Sequence, residues 1–401
     1  MSSRDTSTPT TGRDRRFVGL MAGTSLDGID AACCRVGRTD DSPFGYTIDV
    51  EAFLTVPYPD PLRDRLLSLC DEATGRVDEV CRLNRELGVR FAAAATAVAD
   101  EAGVDLESIT AIGTHGQTVW HIPNPVAEGA STAEPLRSTL QIGDGATIAY
   151  ETGAVCVSDF RTADVAAGGE GAPLTPFLDA TAFGGENVRV LQNVGGIGNC
   201  TILPPEADRE EIVAFDTGPG NMVIDALVER LSDGERTYDD SGRWAAAGEP
   251  DEELLADALD DPYFERSPPK TTGRERFGRR YAEGFLRDGR AKGLSAADLL
   301  ATATMLTARS IADAYERFAD PYPEAAFVSG GGAHNETLLS YLRAELDCPV
   351  STTRELGMDP DSKEAALFAL LAATRLDRTP NTIPNATGAS EPVVMGKVSR
   401  P

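Results

Sequence analysis

The chain has few basic residues, and lysine in particular is scarce. Its 401 residues include 64 acidic and 37 basic side chains, which gives a formal net charge of −27. Binding along a nucleic acid needs a basic face that neutralises phosphates, so this balance argues against nucleic acid as a partner. The acidic residues are spread along the whole chain, as we expect of a protein that stays soluble in very high salt. The four lysines are Lys270, Lys292, Lys363 and Lys397.

Long apolar runs and metal-binding cysteine patterns are also missing. The longest apolar segment, Ala365 to Thr374, is too short to cross a bilayer. The seven cysteines include no Cys-x-x-Cys pair and no Cys/His spacing typical of a zinc site. The first 15 residues are polar rather than a secretion signal, so we expect a disordered tail, no membrane partner and a cytoplasmic location.

The common phosphate-binding and catalytic motifs are absent too. The sequence contains no G-x-x-x-x-G-K-[ST] loop and no strand–GxGxxG–helix turn. It also lacks the G-x-S-x-G elbow and the catalytic-loop pattern of protein kinases. Any handling of phosphate therefore depends on backbone turns, hydroxyl groups and Mg²⁺.

The stretch around Asp216 is the strongest candidate site. The apolar residues 212–215 predict the end of a strand, 217–221 predict a turn, and 222–228 predict a helix. Such a helix start offers free backbone N–H groups and a favourable dipole to an anion. An acidic residue at the strand end is placed like a general base beside a phosphate. The alternative is an ordinary capped turn in which Asp216 has only a structural role.

Glycine turns after strands recur elsewhere in the chain. A hairpin tip at 22–30 offers backbone N–H groups and two hydroxyls to a phosphate, although it is also compatible with a plain turn. A second glycine turn follows a strand at 195–198, and three glycines at 330–332 would let a flat ring lie close to the backbone. The repeated pattern predicts a duplicated α/β unit that closes on a ligand, with a boundary near 160–170.

Three further polar residues are ambiguous in the sequence. His115 and His121 follow a buried strand and are either site residues or satisfied structural histidines. Lys270 is unusual in an arginine-rich chain. It is either a point-charge contact or a solvated surface lysine.

Nine motifs follow one another along the chain. They are Gly23–Asp30, Thr114–Thr118, Gln141–Asp144, Asp159–Arg161, Gly168–Leu174, Asn193–Ile197, Asp216–Asn221, Ser329–Gly332 and Thr387–Ala389. By these motifs and their order, the chain beyond residue 15 resembles the anhydro-N-acetylmuramic acid kinase family from end to end, apart from surface insertions such as 122–137.

The resemblance implies an α/β protein with the two-lobe actin/Hsp70/hexokinase-like (RNase H-like) fold and an active site in the interlobe cleft. Lobe I is then expected at 16–163, with 377–401 returning to it. Lobe II is expected at 164–376, with the second phosphate loop and the adenosine turn.

The resemblance also implies the chemistry. Family members use ATP and water to open a 1,6-anhydro sugar ring and phosphorylate the freed O6, in amino sugar catabolism and peptidoglycan recycling. The implied product is N-acetylmuramic acid 6-phosphate, and Asp216 corresponds to the base that activates water. A levoglucosan-like anhydro sugar is an alternative substrate, and a non-kinase nucleotide-dependent binding protein on the same fold is an alternative function. A homodimer is a further expectation.

The implied binding residues fall into three groups. The sugar-binding residues are Thr114, Gln117, Arg161 and Glu364. Asp27 is expected to hold Mg²⁺ through water. The ATP-binding residues are Gly23, Thr24, Ser25, Leu26, Asp27, Gly28, Ile29, Asp30, Gly196, Gly218, Asn221, Gly330, Gly331 and Gly332.

Overall fold

The computed structural model describes residues 14–23, 26–123 and 136–401. The chain forms two compact units. Unit 1 contains the residues up to 171 together with 364–382 and 392–401, and unit 2 contains 172–363 and 383–391. The predicted tail and the insertion at 122–137 lie largely outside the described residues.

The first ten elements belong to unit 1. They are β1 (Arg15–Ala22), β2 (Gly28–Arg38), β3 (Tyr46–Pro57), α1 (Asp60–Leu69), α2 (Val77–Glu101), β4 (Ile109–Ile122), β5 (Ser138–Ile142), α3 (Gly145–Thr152), β6 (Cys156–Ser158) and α4 (Arg161–Ala166).

The next elements belong to unit 2. They are α5 (Thr175–Phe183), β7 (Arg189–Val194), β8 (Ile197–Leu203), β9 (Val213–Pro219), α6 (Asn221–Leu231), α7 (Glu252–Leu259), α8 (Arg274–Phe277), α9 (Arg279–Ala291), α10 (Ala296–Phe318), β10 (Ala325–Ser329), α11 (Glu336–Glu345) and β11 (Val350–Thr352). Three elements complete the chain, namely α12 (Lys363–Leu376), α13 (Pro384–Thr387) and β12 (Lys397–Ser399).

The sheet of unit 1 has the order β12-β6-β4-β1-β2-β3, with β5 paired to β4. Strands β1, β2 and β3 are joined as antiparallel neighbours. Strand β4 lies parallel to β1, and β6 lies parallel to β4. One face is covered by α2, whose apolar residues at helical spacing include Leu83, Leu87 and Phe91, all fully buried.

The sheet of unit 2 repeats this arrangement. Its order is β11-β10-β7-β8-β9, with β7, β8 and β9 antiparallel and β10 and β11 added in parallel. The first strand of each unit therefore pairs with the second and the fourth, and the third lies beside the second. This is the RNase H-like strand order, so the expected α/β class and the duplicated unit are confirmed by the topology of each sheet.

Helix α10 is central to the core of unit 2. Its residues Ala308, Ile311 and Tyr315 pack with the apolar residues of the sheet and α11. Leu299 and Leu306, from the first part of the same helix, pack instead with α6, α7 and α9. Its start is fixed by a capping box between Ser295 and Asp298, the arrangement that satisfies N–H groups at a helix N-terminus. One long helix thus supports the strands that carry Asp216 and the glycine turns.

The assignment of α12 differs from the sequence prediction. Residues 364–376 were expected in lobe II, yet they belong to unit 1. The reason is a bare patch of backbone on the sheet, where Gly19 of β1 pairs with Gly113 of β4. A Cβ atom at Gly19 would overlap the backbone oxygen of Ala365, and one at Gly113 would overlap that of Phe368. The helix therefore lies directly on the two glycines. The first crossing between units, after residue 171, also lies beyond the predicted boundary at 163.

Within the ranges that the structure describes, no helix is both long enough and apolar enough to cross a membrane. The apolar run in α12 is a buried helix of unit 1, in which Ala365, Phe368 and Leu371 are almost fully shielded from solvent.

The glycine patch gives a stability prediction. In Gly113→Ala, the new methyl group would overlap the Phe368 oxygen and approach Ala372 Cβ to 3.0 Å. We expect the free energy of unfolding to fall by about 1–3 kcal/mol, as is typical of an overpacked core. Urea unfolding, followed by circular dichroism, measures it.

Gly284→Ala in α9 is the matched control. The nearest atom to its new methyl group would be Arg287 Nη2 at 3.8 Å. Replacing a helical glycine in open space stabilises by about 0.5–1 kcal/mol. Equal stability of Gly113→Ala and the wild type would show that α12 does not need the bare backbone.

Candidate active site

Asp216 lies in the last part of β9, opposite Asn199 of β8. Its main chain is held on both sides, because its N–H donates to Lys270 O at 3.0 Å and Tyr263 Oη donates to its carbonyl at 2.7 Å. Its carboxylate oxygen Oδ2 accepts a hydrogen bond of 2.8 Å from the N–H of Thr272. The carboxylate therefore has a fixed orientation, set by a segment about 50 residues further along the chain.

The start of α6 differs from the anion cradle that the sequence predicts. The N–H groups of Gly220 and Met222 donate to Gly196 O at 3.0 and 3.1 Å, and the N–H of Asn221 donates to Gly195 O at 2.8 Å. These three donors are consequently used inside the protein. The expectation that the helix start offers them to a phosphate is wrong, and their role is to join α6 to the β7–β8 turn.

Residues of the predicted turns at 217–221 and 330–332 meet near the ends of β7 and β10. These strands are parallel neighbours, so their carboxyl ends lie at the same edge of the sheet. Gly330 has a φ of 75°, and a Cβ there would lie 2.5 Å from Asn193 Oδ1. A Cβ at Gly332 would lie 2.5 Å from Val194 Cβ, and one at Gly331 would lie 3.3 Å from Asn221 Nδ2. The structure thus brings Gly330–Gly332 and Asn221 together.

Two further glycines of unit 2, Gly196 and Gly218, are predicted to bind the nucleotide. A Cβ at Gly196 would lie 3.1 Å from Met222 Cε. Gly218 has a φ of 147°, and a Cβ there would lie 2.7 Å from Phe264 Cε1. We name Gly196, Asn221 and Gly330–Gly332 the glycine edge. Flat or extended groups can approach the backbone of its glycines closely, because glycine has no side chain.

The first hairpin is only partly described. Gly23, Leu26, Asp27, Gly28, Ile29 and Asp30 are described, whereas Thr24 and Ser25 lie outside the described residues. The side chains of Leu26 and Ile29 are buried, so only their backbone groups are available for a ligand. Thr55 Oγ1 donates to Asp30 Oδ1 at 2.6 Å, and Tyr58 N donates to the carbonyl of Asp27 at 2.9 Å. These contacts tie the tip to β3.

Arg161 is half-buried at the start of α4 and has two acceptors. Its Nε donates to His115 Nε2 at 2.9 Å, and its Nη1 donates to Gly171 O at 2.6 Å. Burial lowers the pKa of Arg161 to about 10, while Glu364 and Asp164 act to raise it. The guanidinium is therefore charged at neutral pH and held in a fixed direction, near the carboxylate of Glu364.

His115 is the acceptor that orients Arg161. Its Nδ1 lies 2.9 Å from Gly116 O, which assigns the proton to Nδ1 and leaves Nε2 as an acceptor. Burial, together with the charge of Arg161, lowers the pKa of His115 to about 3. The imidazole is neutral as a result. The sequence left its role open between a site and a structural histidine, and no pattern along the chain indicates the pairing with Arg161.

The remaining predicted sugar residues also lie in unit 1. Gln117 is fully buried, and its Nε2 donates to Gly23 O at 3.0 Å. Its Oε1 is buried without a hydrogen-bonding partner among the described residues. Thr114 is fully buried as well, and its Oγ1 accepts from Gly116 N at 3.1 Å. His121, the other candidate histidine, has Nδ1 3.1 Å from Thr139 Oγ1.

The segment that holds Asp216 contains site residues that sequence reasoning did not assign. Tyr263 and Thr272 each bind Asp216 directly. Lys270 is only 2% exposed, which excludes the solvated lysine among the two alternatives that the sequence left open. The scarcity of lysine in the sequence was the single signal that drew attention to this residue. It could not indicate what the ammonium contacts.

A metal site made by side chains alone is absent from the described part of the chain, where no group of three or more His, Cys, Asp or Glu side chains is placed to hold an ion.

A family model described as anhydro-N-acetylmuramic acid kinase matches residues 15–401. The chain is 44% identical over 391 residues to the anhydro-N-acetylmuramic acid kinase of Caldanaerobacter subterraneus subsp. tengcongensis, covering 96% of this chain and 97% of the relative. It is 45% identical to that of Salinibacter ruber, covering 96% of each. Among solved structures, the activator of the 2-hydroxyisocaproyl-CoA dehydratase from Clostridium difficile is 11% identical, with a TM-score of 0.42 over 90% of this chain and 97% of that one. The family assignment depends on the family model and the sequence relatives, and not on the solved structure.

The buried imidazole predicts a pH dependence of stability. The pKa of His115 is about 3 in the native protein and about 6.5 in an unfolded chain. Below pH 6.5 the unfolded state binds the proton that the native state excludes, so stability falls as the pH falls. His115→Gln removes this pH-dependent contribution to the free energy of unfolding. We expect its stability relative to wild type to rise by up to about 1.4 kcal/mol for each pH unit below 6.5. Urea unfolding at pH 7, 6 and 5 measures the difference, and a constant difference would show that the native imidazole titrates normally.

Proposed function

This chain belongs to the anhydro-N-acetylmuramic acid kinase family, and on that premise we propose that it opens 1,6-anhydro-N-acetylmuramic acid with water and phosphorylates the freed O6. The phosphate donor is ATP, and the products are N-acetylmuramic acid 6-phosphate and ADP. The premise rests on the family model and on relatives that match over almost the whole chain.

The observation that carries the proposal is the oriented carboxylate of Asp216. A general base must be held within hydrogen-bonding reach of the proton that it removes. The amide of Thr272 fixes Oδ2, and Tyr263 and Lys270 fix the main chain of the same residue. The partner amide is 56 residues away, so Asp216 is more than a local turn residue.

The reaction then balances in one sequence of bond changes. Asp216 accepts a proton from water as the water oxygen bonds to the anomeric carbon of the sugar. The bond from that carbon to O6 breaks, and the electron pair stays on O6. O6 then bonds to the γ-phosphorus of ATP, and the bond from that phosphorus to the β–γ bridging oxygen breaks to release ADP. Holding the reactants in line supplies much of the rate enhancement in phosphoryl transfer.

The sugar is proposed to bind Arg161, Glu364, Gln117 and Thr114. Arg161 is suited to this role because His115 and Gly171 fix its direction while it keeps further N–H donors. Gln117 keeps a buried acceptor at Oε1. Thr114 is already bound to Gly116 N, so we assign it mainly to shaping this group.

The nucleotide is proposed to bind the glycine edge and Gly218, together with Gly23–Asp30 of the first hairpin. Gly331 is exposed, and a glycine backbone without side chains is accessible to a flat base or to phosphates. Mg²⁺ would neutralise the charge that develops on the phosphates, with Asp27 holding it through water.

The proposal extends to the setting of the enzyme. We place it in the cytoplasm, at high salt, as a homodimer without nucleic-acid or membrane partners. The net charge of −27 supports the exclusion of nucleic acid and the adaptation to salt.

A panel of sugars with ATP in molar KCl tests the reaction. Phosphorus NMR of the products should show a 6-phosphate that forms only from an anhydro sugar. A faster reaction with levoglucosan would move the assignment to another 1,6-anhydro sugar. Equal phosphorylation of open sugars would exclude coupled ring opening, and ATP hydrolysis indifferent to sugars would exclude the kinase.

Asp216→Asn tests the base. The amide cannot take the proton from water, so we expect kcat to fall by at least about 10²–10⁴-fold, the usual contribution of general base catalysis. Nucleotide affinity, measured by calorimetry, should persist. Asp260→Asn, at an exposed position after α7, is the matched control and should keep full activity. Wild-type turnover in Asp216→Asn would remove this residue from the chemistry.

A further inference from the structure

Lys270 is a buried cation surrounded by aromatic rings. Its Nζ lies 4.8 Å from the ring centre of Phe318, 4.9 Å from that of Tyr263 and 5.7 Å from that of Phe215. We name these three rings the aromatic cage. The ammonium also donates to Phe264 O at 3.3 Å, and the residue is 2% exposed.

Such an arrangement is costly if its only purpose is to fill space. Removing an ammonium group from water is energetically costly, and aromatic rings with one carbonyl recover only part of this cost. A methionine of similar length would fill the cage without that cost. The charge at Lys270 therefore calls for a reason beyond packing.

The surroundings of Lys270 point to Asp216. Phe215 is the residue before Asp216, Tyr263 donates to the Asp216 carbonyl, and the Lys270 carbonyl accepts the Asp216 N–H. The amide that binds the Asp216 carboxylate belongs to Thr272, two residues beyond Lys270. These contacts with Asp216 come from Tyr263 of the cage, from Lys270 itself and from Thr272, two residues beyond it.

We propose that Lys270 is a positioning residue for Asp216. The ammonium in the aromatic cage fixes the backbone at 270–272, and thereby the amide that orients the carboxylate, while its positive charge favours the ionised carboxylate that a base requires. This inference rests on the proposed role of Asp216 as the base.

The charge of Lys270 is present at neutral pH and is lost in mildly alkaline solution. Burial lowers its pKa to about 8. Among the charged and titratable groups around it, Cys200 of β8 and Asp216 act to raise the pKa, and Arg317 of α10 and Arg266 act to lower it. As the pH rises through about 8, the ammonium loses its proton and its effect on Asp216 ends. We therefore expect kcat of the wild type to fall on the alkaline side of pH 8.

Lys270→Met and Lys270→Arg test the proposal. Lys270→Met fills the cage without charge, and we expect kcat to fall about 10- to 100-fold, as small displacements of catalytic groups do. KM for the sugar and the affinity for ATP should stay near wild type, and the alkaline fall near pH 8 should disappear. Lys270→Arg keeps the charge and should recover part of kcat, with the alkaline fall moved to higher pH.

Two further variants complete the experiment. Lys292→Met removes a lysine that pairs with Glu253 at 2.7 Å, and it should leave kcat and its pH profile unchanged. Tyr263→Phe keeps the ring of the cage and removes only the bond to the Asp216 carbonyl. It should lower kcat several-fold and keep the alkaline fall. If Lys270→Met does not fold, Tyr263→Phe and Lys270→Arg decide the question.

The outcomes separate this inference from the proposed function. Folded Lys270→Met with the kcat and pH profile of the wild type would overturn it, provided that Asp216→Asn is inactive in the same assay. Wild-type turnover in Asp216→Asn would overturn the role of the base itself. Hydrogen exchange at the 268–276 backbone supplies a readout without turnover. Faster exchange is expected in Lys270→Met, and unchanged exchange would show that the ammonium does not hold this segment.

Discussion

Three backbone hydrogen bonds between the start of α6 and the Gly195–Gly196 turn fix the site of unit 2. They tie the end of β9 to the β7–β8 hairpin, although the two are distant in sequence. Gly220 is required for them, because a Cβ there would overlap Gly195 O. Since Asp216 lies just before this junction, its position follows from a contact that only glycine permits.

This junction also changes where an anion can bind. A helix start normally leaves its first N–H groups without partners, and those groups attract anions. Here the turn carbonyls satisfy the N–H groups of Gly220, Asn221 and Met222. The junction therefore serves rigidity, and a phosphate at this end of the sheet must find its donors elsewhere.

Much of the fold could be predicted from the sequence because it depends on local patterns. Apolar runs followed by glycine turns mark β1, β7 and β10 correctly, and the repeated pattern anticipates the duplicated unit. Asp216 could also be singled out, because a carboxylate between an apolar run and a glycine turn is a local feature. Each of these signals lies within about ten consecutive residues.

The relations between distant segments could not be predicted in this way. The pairing of Gly19 with Gly113, which draws α12 into unit 1, depends on the register of two strands about 90 residues apart. The neutral state of His115 depends on burial and on Arg161. Nothing near either residue encodes the partner. The hydrogen bond from the Thr272 amide to the Asp216 carboxylate likewise joins distant segments, and only folding brings them together.

The four lysines of this chain divide into two on the surface and two in the interior. Lys292 and Lys397 form surface ion pairs with Glu253 and Asp159. Lys270 and Lys363 are 2% and 3% exposed.

The buried ammonium of Lys363 is paired with a buried carboxylate. Its Nζ lies 2.7 Å from Asp179 Oδ1, and Thr201 Oγ1 donates to the other oxygen of that carboxylate at 2.7 Å. Lys270 has rings and a carbonyl instead. A slender ammonium fits both sites, whereas the wide guanidinium used on the surface of this chain needs a broader set of acceptors. Two of the four lysines of this chain are thus buried, at positions where the slender shape of lysine fits.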